Sequence, residues 1–154
     1  MDLKRDRRCI RRIQWAALLA MLATAMLSTV HAIPVTDLRE FAPLHGRYAP
    51  AGDCARAPRI VVDGAGFAFE GGPTLPKATA PEFAAGWFGA RYEGIAHVFL
   101  PYAEEPRPLV LTFNAGEQPG RLAVEAGDFG YPGGPVLPER YRPYVAASPY
   151  MKCR

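Results

Sequence analysis

The chain predicts an all-β fold: a small antiparallel sandwich or partly open barrel of about five or six strands, rich in loops and carrying one disulfide. Three observations carry this expectation. Short runs of β-branched and aromatic residues alternate with period two between clusters of turn-forming residues. No stretch shows the apolar spacing of a long amphipathic helix. Two cysteines, Cys54 and Cys153, bracket almost all of those runs.

The first element in chain order is not part of the fold. Lys4, Arg5, Arg7, Arg8, Arg11 and Arg12 precede an apolar run from Trp15 to Val30, and small residues follow at Val30 and Ala32. A basic start, a short apolar middle and small residues at −3 and −1 predict a cleavable signal peptide over residues 1–32. The apolar run is diluted by Thr24, Ser28 and Thr29. It falls short of the roughly twenty apolar residues of a spanning helix, so no stable membrane anchor is expected. Arg7-Arg8 offers only a weak twin-arginine signal. Residues 33–154 are then a single β-rich domain, exported to the periplasm or beyond.

Removing the leader alters the electrostatic reading. The whole chain carries a net charge of +3, but residues 33–154 hold twelve Lys/Arg against thirteen Asp/Glu, a balance of −1. The basic surplus that nucleic-acid binding needs is gone, and no nucleic-acid partner is expected. Cys9 leaves as well, so Cys54 and Cys153 remain as a pair. In an oxidising compartment they are expected to form one intramolecular disulfide.

Within the domain, Thr36 is placed to cap a short helical turn through Phe41, with Glu40 in capping-box reach. Leu44-His45-Gly46-Arg47-Tyr48, followed by Cys54, resembles the Gly-x-aromatic first strands of lipocalin-like secreted barrels. The resemblance covers these residues only and brings no function with it. Arg59–Asp63 and Phe67–Glu70 flank Gly64-Ala65-Gly66 as a hairpin. Residues 92–100 read as a longer central strand, and Leu109–Phe113 and Leu122–Glu125 complete an antiparallel meander with it. Gly127–Pro138 reads as an ordered loop running back over the sheet. Residues 138–147 hold at most a helical turn, interrupted by Pro143.

Chemistry-bearing residues are sparse. Ser148 is the only serine after the leader and lacks the glycines of a nucleophile elbow. His45 and His97 show no HxH or HExxH spacing, so no metal site is expected, and no cofactor motif is present. Glu104-Glu105 reads as a solvated turn. No catalytic residue is assigned. An enzyme would need His97 with a nearby carboxylate.

The clearest candidate site is aromatic. Gly86–Tyr92 places Trp87, Phe88, Arg91 and Tyr92 within seven residues. Such residues either plug a core or form a binding surface. A second group, Tyr131, Tyr141, Tyr144 and Tyr150, is expected to pack the tail onto the sheet with hydroxyls left wet. These features point to non-catalytic binding of a protein or envelope glycan, an inhibitor of an extracytoplasmic hydrolase being one form. The alternatives are a structural subunit of an envelope assembly and a small hydrolase.

Overall fold

A computed structural model of the chain describes residues 32–128 and 133–154. The predicted leader up to His31, and Tyr131, lie outside the described residues. Among the described residues nine strands form a single antiparallel sheet: β1 (Ala32–Pro34), β2 (Gly46–Pro50), β3 (Arg59–Asp63), β4 (Gly66–Glu70), β5 (Glu82–Ala84), β6 (His97–Leu100), β7 (Leu109–Phe113), β8 (Arg121–Ala126) and β9 (Tyr150–Lys152). Their spatial order is β1-β5-β6-β7-β8-β9-β2-β3-β4. The all-β, single-disulfide fold is the one the sequence predicts, with more strands than the five or six expected. The additional strands are three-residue pieces, too short to show period-two alternation.

The sheet is curled into a half-barrel, and side-chain distances show how tightly. Phe67 on β4 lies 5.3 Å from Phe99 on β6, measured between ring centroids. Those strands are six places apart in the sheet, which would be about 29 Å in a flat one. Tyr48 on β2 and Phe113 on β7, three places apart, are 5.4 Å from each other. One concave face therefore wraps the main core. Tyr48, Ile60, Phe67, Phe99, Leu111, Phe113, Leu122 and Tyr150 are all buried there, and Ala84, Val98 and Val110 form a smaller buried cluster apart from it. A two-sheet sandwich is excluded by the one continuous ladder; the partly open barrel is what forms.

Two of the predicted hairpin elements pair as expected. β3 and β4 join in register from Arg59 opposite Glu70 to Asp63 opposite Gly66. Asp63 turns the corner by accepting a bond from Ala65 N at 2.8 Å and an ion pair from Lys77 at 2.7 Å. The β6-β7-β8 meander is also present. Residues 92–96 are not strand, however, because their amides are bonded to side chains, as described below.

Gly66 lies where backbone approaches it closely. Phe67 and Ala78 exchange backbone hydrogen bonds of 3.0 and 2.9 Å across the outer edge of β4. A Cβ on Gly66 would stand 2.0 Å from the Ala78 carbonyl oxygen, on a residue with φ of +127°. Gly66→Ala is expected to cost about 1–3 kcal/mol. Gly89→Ala is the control, since Gly89 shares a positive φ of +94° but has open space around it. Urea midpoints of the two variants separate the clash from the dihedral cost; equal midpoints would show that the close approach is unimportant.

The helical pieces are short and differ from expectation in detail. A 3-10 segment covers Arg39–Leu44, and Thr36 does not cap it; Asp37 instead accepts from Arg39 N at 2.9 Å. A 3-10 turn at Glu139–Tyr141 runs into α1 (Arg142–Ala146). Pro143 does not interrupt this helix but lies in its first turn, where a missing N–H costs nothing. The tail tyrosines Tyr141, Tyr144 and Tyr150 are buried. Two of the hydroxyls expected to be wet are bonded to backbone instead: Tyr150 donates to Tyr144 O at 2.8 Å and Tyr144 to Pro73 O at 3.2 Å. Burial pushes the hydroxyls of all three upward from their ordinary pKa.

Cys54 and Cys153 are bonded, joining residues 99 apart in sequence. Cys153 N also donates to Arg47 O at 2.7 Å, so the bridge lies against the β2–β9 pairing. Ser148 serves the same region. Its hydroxyl accepts from Val124 N at 2.9 Å, where β9 is no longer opposite β8.

Candidate functional site

Antiparallel pairing brings several connections to one end of the half-barrel. His97 at the start of β6 faces Phe113 at the end of β7, and Arg121 at the start of β8 faces Met151 near the end of β9. The β5–β6 loop, the β7–β8 turn, the 3-10 segment before β2 and the C-terminal residues therefore meet there. Trp87, Phe88, Arg91 and Tyr92 all lie on the β5–β6 loop.

The loop stands on the surface. Trp87 and Phe88 are each 45% exposed, Ile95 is 42% exposed, and Arg91 is exposed. Trp87 is thus not a core plug. Phe88 and Tyr92 pack against each other with ring centroids 4.7 Å apart and planes tilted by 40°.

Local hydrogen bonds shape the loop. Trp87 N donates to Ala84 O at 3.1 Å, Gly89 N to Gly86 O at 3.0 Å, and Tyr92 N to Gly89 O at 3.2 Å. Its far limb is held by the β7–β8 turn. The Glu117 carboxylate accepts from the Tyr92 hydroxyl and from Ile95 N, the latter at 2.8 Å. The Tyr92 oxygen in turn accepts from Ala96 N at 2.8 Å. Asn114 Nδ2 donates to Ile95 O at 3.0 Å, while its Oδ1 accepts from Gly120 N at 2.9 Å.

These bonds explain why the predicted strand 92–100 begins only at His97. The Ile95 and Ala96 amides are already bonded to side chains. They also explain Gly94, where a Cβ would lie 2.3 Å from the Tyr92 hydroxyl oxygen. The bond from Tyr92, then that from Ile95 N, holds the Glu117 carboxyl below its usual range. Desolvation, reinforced by the Glu117 bond, raises Tyr92. The sequence places a connection between Leu109–Phe113 and Leu122–Glu125 but shows neither Asn114 nor Glu117 as an anchor. The signal was Asn114 beside Gly116: Asn114 adopts φ of 52° and Gly116 φ of 65°, which turns the following Glu117 back toward the loop.

Beside the loop lies a cleft of about 330 Å³, bounded by Glu40, Phe41, Ile95, His97 and Asn114 among others. His97 is half-buried, with its ring 5.6 Å from Phe41 and 6.0 Å from Phe83. Desolvation lowers its pKa, which favours the neutral imidazole. Among the described residues His97 takes part in no ion pair.

A second hollow of about 380 Å³ adjoins the first, sharing Pro43 and Asn114 with it and reaching Lys152, Cys153 and Arg154.

The other candidates play structural parts. His45 Nε2 lies 2.9 Å from Leu38 O and fixes the 3-10 segment. Glu105 of the predicted solvated turn pairs with Arg140. Among the described residues no group of three His, Cys, Asp or Glu is placed to hold a metal ion, and no helix is long and apolar enough to cross a membrane. Comparison of the chain with protein families, with curated proteins and with solved structures finds no match.

Proposed function

We propose that this is an exported binding domain that captures a protein partner through the loop carrying Trp87, Phe88, Arg91 and Tyr92, without catalysis. The observation that carries the reading is a pair of large aromatic side chains, each 45% exposed, on a loop that a buttress of Glu117 and Asn114 holds in shape. Exposed rings on a pre-ordered loop lose little entropy on binding, which is the property of interface anchors. A polypeptide partner suits the site better than a neutral glycan. Phe88 and Tyr92 are tilted onto one another, so they do not form a flat stacking platform. Export is supported by the leader pattern of residues 1–32 and agrees with the Cys54–Cys153 disulfide.

The test is capture from an envelope fraction by mature, oxidised protein. Trp87→Ala, Phe88→Ala and Arg91→Ala are each expected to weaken capture by tenfold or more for a true anchor, about 1.4 kcal/mol or above. Their stability should stay within about 0.5 kcal/mol of wild type because the side chains are exposed. Capture that survives all three substitutions would refute the loop as the binding surface, and binding competed by free glycan would reassign the partner.

A further inference from the structure

The two hollows beside the loop differ in charge, and the fold leaves those charges unspent. Glu40 bounds the first hollow; Lys152 and Arg154 bound the second. The six ion pairs of the described residues use Asp37, Asp63, Glu70, Glu105 and Glu139 as their acids; Glu40 is in none of them, and neither Lys152 nor Arg154 supplies a cation. Lys152 Nζ donates once, to Pro43 O at 2.9 Å, which leaves two N–H groups to spare. The shared wall is fixed. Pro43 accepts that lysine bond, and Asn114 is held by two bonds of its own. At the acidic end the floor is aromatic, with Phe41 against Phe83, His97 and Phe99. Desolvation favours the neutral form of the His97 ring there.

From this arrangement we infer that the two hollows act as one bipolar groove. It receives an extended segment of the partner protein, with an arginine at the Glu40–Phe41 end and a carboxylate at the Lys152–Arg154 end. Arginine is the cation that suits an aromatic floor beside a carboxylate, because its planar head stacks on a ring while its edge donates to the acid. A polypeptide supplies both charges on one backbone, and residues two apart in an extended strand point to the same side. The inference rests on the protein-binding reading above and adds the chemistry of the segment that is bound.

The experiment uses oxidised protein and labelled, Ala-rich peptides bearing one Arg and one Asp at stepped spacings, read by fluorescence anisotropy. Peptides with Arg alone, Asp alone or neither serve as references. At least one Arg/Asp spacing should bind at least fivefold more tightly than either single-charge peptide. Glu40→Gln should weaken Arg-bearing peptides about fivefold and leave the Asp-only peptide unchanged. Arg154→Gln should do the converse. Both side chains are exposed, so neither variant endangers the fold.

Equal binding of charged and uncharged peptides, or loss of binding that ignores which charge was removed, would overturn the groove. If no peptide binds while partner capture still depends on Trp87 and Phe88, the groove is refuted and the loop reading stands. If capture is also indifferent to those two side chains, both fall together.

Discussion

Phe99→Ala is expected to lower folding stability by about 3–5 kcal/mol, the largest loss of any single substitution considered for this protein. Phe99 is fully buried and central to the aromatic core. Its ring lies 4.9 Å from Phe41, 5.1 Å from Phe83, 5.3 Å from Phe67 and 5.8 Å from Phe113, measured between centroids. These neighbours come from the 3-10 segment, β5, β4 and β7, so no one element can move inward to fill the space. The transfer loss and the cavity term therefore both apply in full. Against the usual 5–15 kcal/mol of a domain, such a loss removes a large fraction of the total. Phe88→Ala removes the same atoms from an exposed site and should change stability by no more than about 0.5 kcal/mol. Urea unfolding of both variants decides the matter. A Phe99→Ala loss below about 1 kcal/mol would mean that the ring cluster is not the centre of the fold.

The second large effect is expected from the disulfide. Replacing both cysteines, Cys54→Ala with Cys153→Ala, should cost about 2–4 kcal/mol and lower Tm by roughly 10 °C. The bridge closes a loop of 99 residues. The chain-entropy model assigns about 4.7 kcal/mol to a loop of that size, and measured bridges commonly give less. Reduction of wild-type protein should reproduce the shift without any substitution, and the reduced and double-variant melts should coincide. A melt unchanged by reductant would show that pairing of β2 with β9 holds that end of the sheet without the bridge.

How much of this was legible in the sequence follows from the range over which each element is determined. The β3–β4 hairpin and the β7–β8 turn are decided locally, by alternation and by residues such as Gly64, Gly66, Asn114 and Gly116. They were read correctly. β1, β5 and β9 have three residues each and exist because a partner strand is present, which no local pattern records. The overlong reading of residues 92–100 failed for the same reason: Glu117, from another turn, took the amide of Ile95. Within the candidate site, the aromatic residues could be picked out by type. Their exposure could not, since Trp87 serves equally well as plug or anchor until the loop around it is fixed. Glu40, Lys152 and Arg154 are ordinary surface charges in sequence and become a set only when the 3-10 segment and the end of β9 meet across Pro43.

The position of β9 has a consequence for how this molecule comes to be folded. It is the last of the nine strands in chain order, yet it sits between β8 and β2 and, among the described residues, joins the β2-β3-β4 group to the rest. Hairpins such as β3–β4 can form early, but the two blocks of sheet cannot be joined until Tyr150–Lys152 is in place. The long-range contacts that define the fold therefore form after the local hairpins.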